Sequence, residues 1–499
     1  MNASNHHAGY MTMAAEHEGR MIGRALVLAL ASFVLLCAAC GNGEDPPPLN
    51  GNNGGGGNGN DNGPEPSRAW STETVTIGGV GLQTRLSVGP GDRVAIAHHS
   101  IAGRNDGPCE ELGISDPPDR MRWRLLAAIH EGGSWSEEIV AEPPLVGAPR
   151  GLDIAFSPQG RIVVAGPSGD PIQRVGSSYC GANDLGLYWR EGEGSWALET
   201  AAEESGQAAI GHGASDSGDV VGFWPALTFD PDTGEPLSAY QDRHFGGLQS
   251  DDRDRADLEL AWRRGGSWTH IPIDMTEGAG LWSDMGFDHA GNPVIVYYVP
   301  DVKMRTGRRG LWASRSVDGG ESWTRVQFLA GRTAERPTVA YQPQTGRLLI
   351  AYYDGHRGQP FLAHVSSDAS FDEELDDGWE IERIGDSRYD EGYFPSVAVA
   401  SDGRIGVAYY RCVRSSRELG ECDPQDDALV FAWRDEDGSW TREIVDAGGR
   451  GMCGSYSSLG FLSGNEAVVA YQCVREYDDG GDEPAFEHVL KMAKREALP

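Results

Sequence analysis

EGGSWSEEIV (131–140), GEGSWALET (192–200), RGGSWTHIPI (264–273), DGGESWTRV (318–326), DDGWEIERI (376–384) and DGSWTREIV (437–445) share one layout. A glycine precedes a tryptophan, and the tryptophan opens a run of strand-forming residues. A seventh, degraded copy, AWSTETVTI (69–77), stands near the start of the patterned region. Successive tryptophans, from Trp70 to Trp440, are 65, 61, 72, 55, 56 and 61 residues apart. A period of that size in an all-β pattern indicates a radial repeat, which must be read before any single residue.

Each tryptophan run is half of a larger unit. The other half is an apolar strand, a tight turn and a second apolar strand: RLSVGPGDRVAIAHH (85–99), LDIAFSPQGRIVVAG (152–166), ALTFDPDTGEPLSAYQD (226–242), DMGFDHAGNPVIVYY (284–298), TVAYQPQTGRLLIAYYD (338–354), SVAVASDGRIGVAYY (396–410) and SLGFLSGNEAVVAYQ (458–472). With a third strand and the tryptophan strand, these give seven four-stranded modules. The last has a third strand in HVLKMAKRE (488–496) but no tryptophan strand after it, whereas 69–77 precedes the first module as an orphan. Pairing the two closes a ring and leaves no free edge. The expected fold is therefore an all-β, seven-bladed propeller of four-stranded antiparallel blades over 69–499, closed by strand 69–77. Six blades would leave one copy unused, and eight would leave one blade without sequence.

Ahead of the ring, the apolar run ALVLALASFVLL (25–36) is too short to span a bilayer and has the size of a signal-peptide core, with Arg24 as its positive flank and Met21 as the start. Ala38-Ala39-Cys40 resembles the bacterial lipobox, with Cys37 where an aliphatic residue is usual. Cleavage after residue 39 would leave Cys40 lipidated, ahead of a Gly/Asn/Pro-rich linker (40–68) that spans about 30 Å root-mean-square as a flexible coil. The expected location is the bacterial cell envelope, at the outer membrane or cell surface, with plain secretion as the alternative. The formal charge of −34 lies wholly beyond Cys40, because two Glu and two Arg cancel in residues 1–40. Such a balance argues against nucleic acid as a partner, since phosphate binding needs clustered Lys and Arg.

Six cysteines follow the signal, an even number in an exported chain and without metal-ligand spacing. Cys109–Cys180, Cys412–Cys422 and Cys453–Cys473 are the expected pairs, since all six fall on the looped face. No cofactor or metal is expected. Calcium is the cation that the acidic loops 372–378 and 476–487 or the DPDTG (230–234) turn would suit, but a hairpin turn accounts for the latter.

Ser316-Val317-Asp318-Gly319-Gly320-Glu321-Ser322-Trp323 fits the Asp-box pattern S-x-D-x-G-x-[ST]-W residue for residue. Here the chain resembles the sialidase-like superfamily with BNR/Asp-box repeats. The resemblance implies that Ser316, Asp318, Gly320, Ser322 and Trp323 form a structural turn on the face opposite the functional one. It also raises a glycoside-hydrolase alternative. Arg243, Arg336, Arg357 and Arg411 would serve as carboxylate-binding arginines, and Asp242 or Asp354 as the acid. The family's Phe/Tyr-Arg-Ile-Pro signature is reduced to Arg85 within Gln83-Thr84-Arg85-Leu86-Ser87, and the catalytic members have six blades.

Aligning the seven first strands places one residue per blade at the inner mouth of the looped face: Gln83, Gly151, Trp224, Trp282, Arg336, Phe394 and Tyr456. Aromatic rings with one arginine suit a sugar or peptide through stacking and a charged contact; the same residues packed on one another would plug the channel. Further out, Asp242, His244, Asp354, His356 and Arg411 end second strands on that face. The expected function is a non-catalytic module binding a glycan, a peptide or an envelope protein, with the membrane touched only through the lipid. A purely structural envelope or adhesion module is a third class.

Overall fold

The computed structural model describes residues 66–496 apart from 79, 105–120, 147–150, 170–172, 176–177, 181–182, 204–219, 244–255, 277, 301–307, 332–333, 367–368, 370, 372–377, 387–388, 413–426, 448–451 and 478–484. Residues 1–65, which hold the expected signal, Cys40 and most of the expected linker, and most of the acidic loop residues lie outside the described residues. Those that are described form strands and turns, with no helix among them.

Seven four-stranded antiparallel blades make the ring. They span 82–146, 153–202, 220–274, 281–330, 334–383, 390–447, and finally 452–495 together with 70–77. The closing strand Trp70–Ile77 lies antiparallel on Ala485–Arg495, with Trp70 opposite Arg495 and Ile77 opposite Val489. Blades 2 and 3 are additionally bridged by one parallel pair, Asn183 with Val220. The Asn183 side-chain amide donates to the Val221 carbonyl at 2.6 Å.

The core is partitioned into seven apolar sandwiches, one per blade interface. Between blades 7 and 1, for example, Val468 and Leu490 pack against Ile96 and Ala128. Each second and third strand contributes residues to both flanking interfaces because its side chains alternate. That is why runs such as Pro293–Val299 are buried at every position. Full burial of each Val, Leu or Ile contributes roughly 1.5–3 kcal/mol, so the ring needs every interface.

A polar seam runs outside these sandwiches. Trp-x-x-Glu recurs at Trp70–Glu73, Trp135–Glu138, Trp196–Glu199, Trp379–Glu382 and Trp440–Glu443. The glutamate of one blade accepts from the indole N–H of the next. Trp135 bonds Glu73 at 3.0 Å, Trp196 bonds Glu138 at 3.0 Å, Trp268 bonds Glu199 at 3.1 Å, and Trp70 bonds Glu443 at 2.9 Å. Arginines on third strands join them: Arg190 to Glu138, Arg263 to Glu199, Arg434 to Glu382 and Arg495 to Glu443. Ile271 and Val326 replace the glutamate in blades 3 and 4. The tryptophans that would have bonded there, Trp323 and Trp379, have indole N–H groups buried without an acceptor. Trp440 lacks one too, its neighbour Glu382 being engaged by Arg434 and His364.

Glu138 is the most deeply placed of these, buried against Arg190 at 2.6 Å. Glu138→Ala leaves the Trp196 indole N–H without its acceptor and Arg190 with only the exposed Glu131 at 3.3 Å, with an expected loss of about 3 kcal/mol. Glu73→Ala, at an exposed bond, is expected to cost less than about 1 kcal/mol. Denaturant unfolding of the two variants checks the ranking.

Cys453 and Cys473 sit directly opposite on the first two strands of blade 7 and are joined by a disulfide. Both lie within strands, Met452–Phe461 and Ala467–Tyr477, rather than in loops on the looped face. Cys412 is also disulfide-bonded; Cys109 and Cys422 are outside the described residues. Cys180 ends a short hairpin, Gln173–Val175 with Ser178–Cys180, inset between the second and third strands of blade 2.

Candidate functional site

Each first strand begins at the ring's mouth, and one residue near its start is in the left-handed region. The φ values are 57° at Gln83, 90° at Gly151, 51° at Trp224, 55° at Trp282, 45° at Arg336, 52° at Phe394 and 53° at Tyr456. Among the described residues, only Asp92 and Asn465 are further non-glycine residues of this kind. In six blades the residue occupies a break in the register between first and second strands. A bulge of this type re-aims a side chain and ends regular pairing. Here it turns six residues, with Gly151 ahead of the first strand of blade 2 as the seventh, onto a common depression of about 480 Å³, open space at its mouth included.

The seven form a collar with one guanidinium at its centre. Arg336 reaches from blade 5 to blade 1, where its Nη1 donates to Gln83 Oε1 at 3.0 Å. Its guanidinium carbon lies 4.8 Å from the ring centre of Phe394, 5.0 Å from Tyr456, 5.5 Å from Trp224 and 6.0 Å from Trp282. Trp224 meets Trp282 edge-on at 6.1 Å, and Phe394 lies 4.5 Å from Tyr456. Trp282 stacks behind on Tyr298 at 5.6 Å. Blade 2 supplies no side chain: a Cβ on Gly151 would come within 2.8 Å of the Trp224 Cα, so only glycine lets Trp224 lean inward. Hydroxyls brace the bent backbone, with Ser283 donating to the Trp224 carbonyl at 2.6 Å and Ser457 to that of Phe394 at 2.5 Å.

Two residues further along each first strand, a second tier ties blade to blade. Asp153, Asp284, Thr338, Ser396 and Ser458 accept the backbone N–H of Leu227, Val339, Val397, Leu459 and Leu86 in the following blade, at 2.7 to 3.1 Å. Arg85 and Ala226 occupy the other two positions. Arg85 crosses toward Asp284, Nη2 to Oδ1 3.8 Å. Burial pushes the Asp284 carboxyl up to about 6 against the pull of Arg85, and nearby Asp153 raises it further. Burial raises Asp153 as well. Of these three, Arg85 lines the depression and the two carboxyl groups lie behind its lining.

The other expected site residues are elsewhere. Asp242 is buried at the end of its strand, opposite Asp257, and His244 is outside the described residues. Asp354 is buried and caps its own turn, accepting the N–H groups of His356 at 3.0 Å and Arg357 at 3.3 Å. His356 is exposed on that turn. Arg411 is buried with its guanidinium 4.6 Å from the Tyr389 ring. Neither Asp242, Asp354 nor Arg411 lines the depression. Of the described residues that do, none is a carboxylate, histidine or cysteine. Sequence reasoning missed Arg85, Asp153 and Asp284 as a group, and the bracing hydroxyls. Their recurrence one or two positions after the collar residue was the available signal.

The Asp box lies between the third and fourth strands of blade 4, at the end of the blade opposite the collar. Asp318 accepts from Ser316 Oγ at 2.8 Å, Ser322 N at 2.9 Å and Ser322 Oγ at 2.5 Å, while Ser316 Oγ accepts from Gly320 N at 2.7 Å. Trp323 is half-buried at the blade 3–4 interface. The Ser322 bonds lead in lowering the Asp318 carboxyl to about 2. A depressed carboxyl contributes stability that is present above its unfolded value and lost as pH falls through the folded one. The melting-temperature gap between the protein and Asp318→Asn is therefore expected to close as pH falls from about 4 to 2. A pH series by differential scanning calorimetry reads it. Asp230 and Asp288, in the first turns of blades 3 and 4, also spend a carboxylate oxygen on turn N–H groups. One cluster of three side chains of metal-ligating type exists among the described residues, Asp446 with Cys453 and Cys473, and its sulfurs are joined to each other.

No protein-family model matches the chain, and no curated protein matches it. Solved structures similar to it include a protein of unknown function from Dyadobacter fermentans (12% identity, 85% of this chain and 99% of that one, TM-score 0.42). Others are the NanB sialidase from Streptococcus pneumoniae (10%, 86% and 95%, 0.43) and the intramolecular trans-sialidase from Ruminococcus gnavus (14%, 83% and 93%, 0.40). None of these likenesses assigns a residue or an activity to the present chain.

Proposed function

We propose that the protein is a non-catalytic binding module that seats a glycan, peptide or envelope-protein ligand on its collar, and that it is held at the cell envelope by a lipid on Cys40. The observation that carries this reading is the strain at the mouth. Six residues other than glycine, four of them aromatic, hold a left-handed backbone at one radius. Each such conformation costs on the order of 1 kcal/mol or more. A plug needs bulk, but it does not need bulk at strained positions that glycine would occupy freely. Strain of this kind gathers where side chains must be aimed at a ligand.

The chemistry of the collar favours binding over turnover. Glycoside hydrolysis by the usual route needs two carboxyl groups flanking the bond, and the described collar offers none. Asp153 and Asp284 below it are committed to backbone N–H groups. A glycan and peptide array probed with the protein and with Trp224→Ala/Trp282→Ala tests the reading. Ligands retained by the protein and lost by the variant are expected; an array with no such ligand would overturn it.

A further inference from the structure

Arg336 makes the collar resemble an occupied receptor. Aromatic faces carry negative quadrupoles and attract cations within about 6 Å of the ring centre. Trp224, Trp282, Phe394 and Tyr456 come from four different blades, yet all four place their ring centres 4.8 to 6.0 Å from one guanidinium carbon. The Gln83 side-chain carbonyl adds an acceptor for a guanidinium N–H. We propose that the collar is a seat for a guanidinium, that the ligand is a peptide or protein segment presenting an arginine side chain, and that Arg336 is the chain's own occupant of that seat. This inference rests on the binding reading above and narrows its ligand.

Two further considerations point to a cation rather than an anion. They act against Arg85, which lines the depression while Asp153 and Asp284 lie behind that lining. The chain as a whole carries −34, a field that draws cationic ligands and slows anionic ones. An anion at the seat would also face four negative ring faces. Arg336 is half-buried at the mouth, so its guanidinium can leave by side-chain rotation once its bond to Gln83 and its other contacts are exchanged. The incoming arginine then replaces one set of contacts with another of the same kind, and the internal guanidinium acts as a competitor that weakens binding.

The competition gives the test its sign. In Arg336→Gly, whose backbone accepts the left-handed angle without strain, the cage stands vacant. Methylguanidinium and an arginine-containing hexapeptide are titrated calorimetrically against the full chain and this variant. At least tenfold tighter binding by the variant is expected, lost again when Trp282→Ala is added. Arg336→Asn, which also tolerates the left-handed region, repeats the measurement should the glycine variant fold poorly. Equal or weaker binding by both variants overturns the inference. So does an acidic hexapeptide bound by the protein and released by Arg336→Gly, because that assigns Arg336 to an anion. Either result leaves the binding module standing if the array still finds a ligand that needs Trp224 and Trp282.

Discussion

A chain lacking residues 70–77 is expected to lose cooperative unfolding and to self-associate through the exposed edge of Ala485–Arg495. That strand of blade 7 has the closing strand as its outer neighbour, and an unpaired edge templates pairing between chains. Trp70 makes the closure more than a row of backbone bonds. It is buried against Phe431 of blade 6 at 5.2 Å, and its indole N–H meets Glu443 of that blade at 2.9 Å. Arg495, opposite Trp70 in register, holds the same carboxylate at 2.8 and 3.0 Å. Trp70→Ala alone is expected to cost about 3–5 kcal/mol, the range for a truncated buried tryptophan. It leaves the strand paired, so that variant should still unfold cooperatively at lower denaturant. Analytical ultracentrifugation and urea unfolding distinguish the two outcomes.

The second large effect falls on binding. Trp224→Ala/Trp282→Ala is expected to weaken any collar ligand at least 100-fold, because two of the four cage walls are removed together. Stability falls too, since Trp224 is only 7% exposed. A loss of at least about 3–5 kcal/mol lowers the melting point of a ring of this size by about 5–10 degrees without unfolding it. A variant that folds and binds unchanged would mean that the collar packs the channel and nothing more.

The ring was legible because its signal is redundant. Seven tryptophans and seven strand pairs had to agree on one blade number, and the orphan at Trp70 had to find an edge. The collar was legible for a related reason: aligning first strands finds Gln83, Gly151, Trp224, Trp282, Arg336, Phe394 and Tyr456 without knowing their conformation. Their left-handed backbone was not legible. Trp224, Arg336 and Phe394 precede prolines, and a residue before proline is expected to be extended; the bulge overrides that preference. Asp354 and Arg411 read as strand-end groups open to a ligand, yet a tight turn and an aromatic neighbour take them up. Such capture depends on partners a few residues away in space, which periodicity does not report. The Trp-x-x-Glu seam was visible as a string, but its meaning lies between blades, where one chain segment's glutamate meets the next segment's indole.

The most direct test of the account is a crystal structure of the protein with the tightest ligand from the array. Ligand density in contact with Trp224 and Trp282, with the Arg336 guanidinium displaced from Gln83, is the predicted result. Ligand density on the face of the Asp box, or against the outer strands with the collar unchanged, would contradict it.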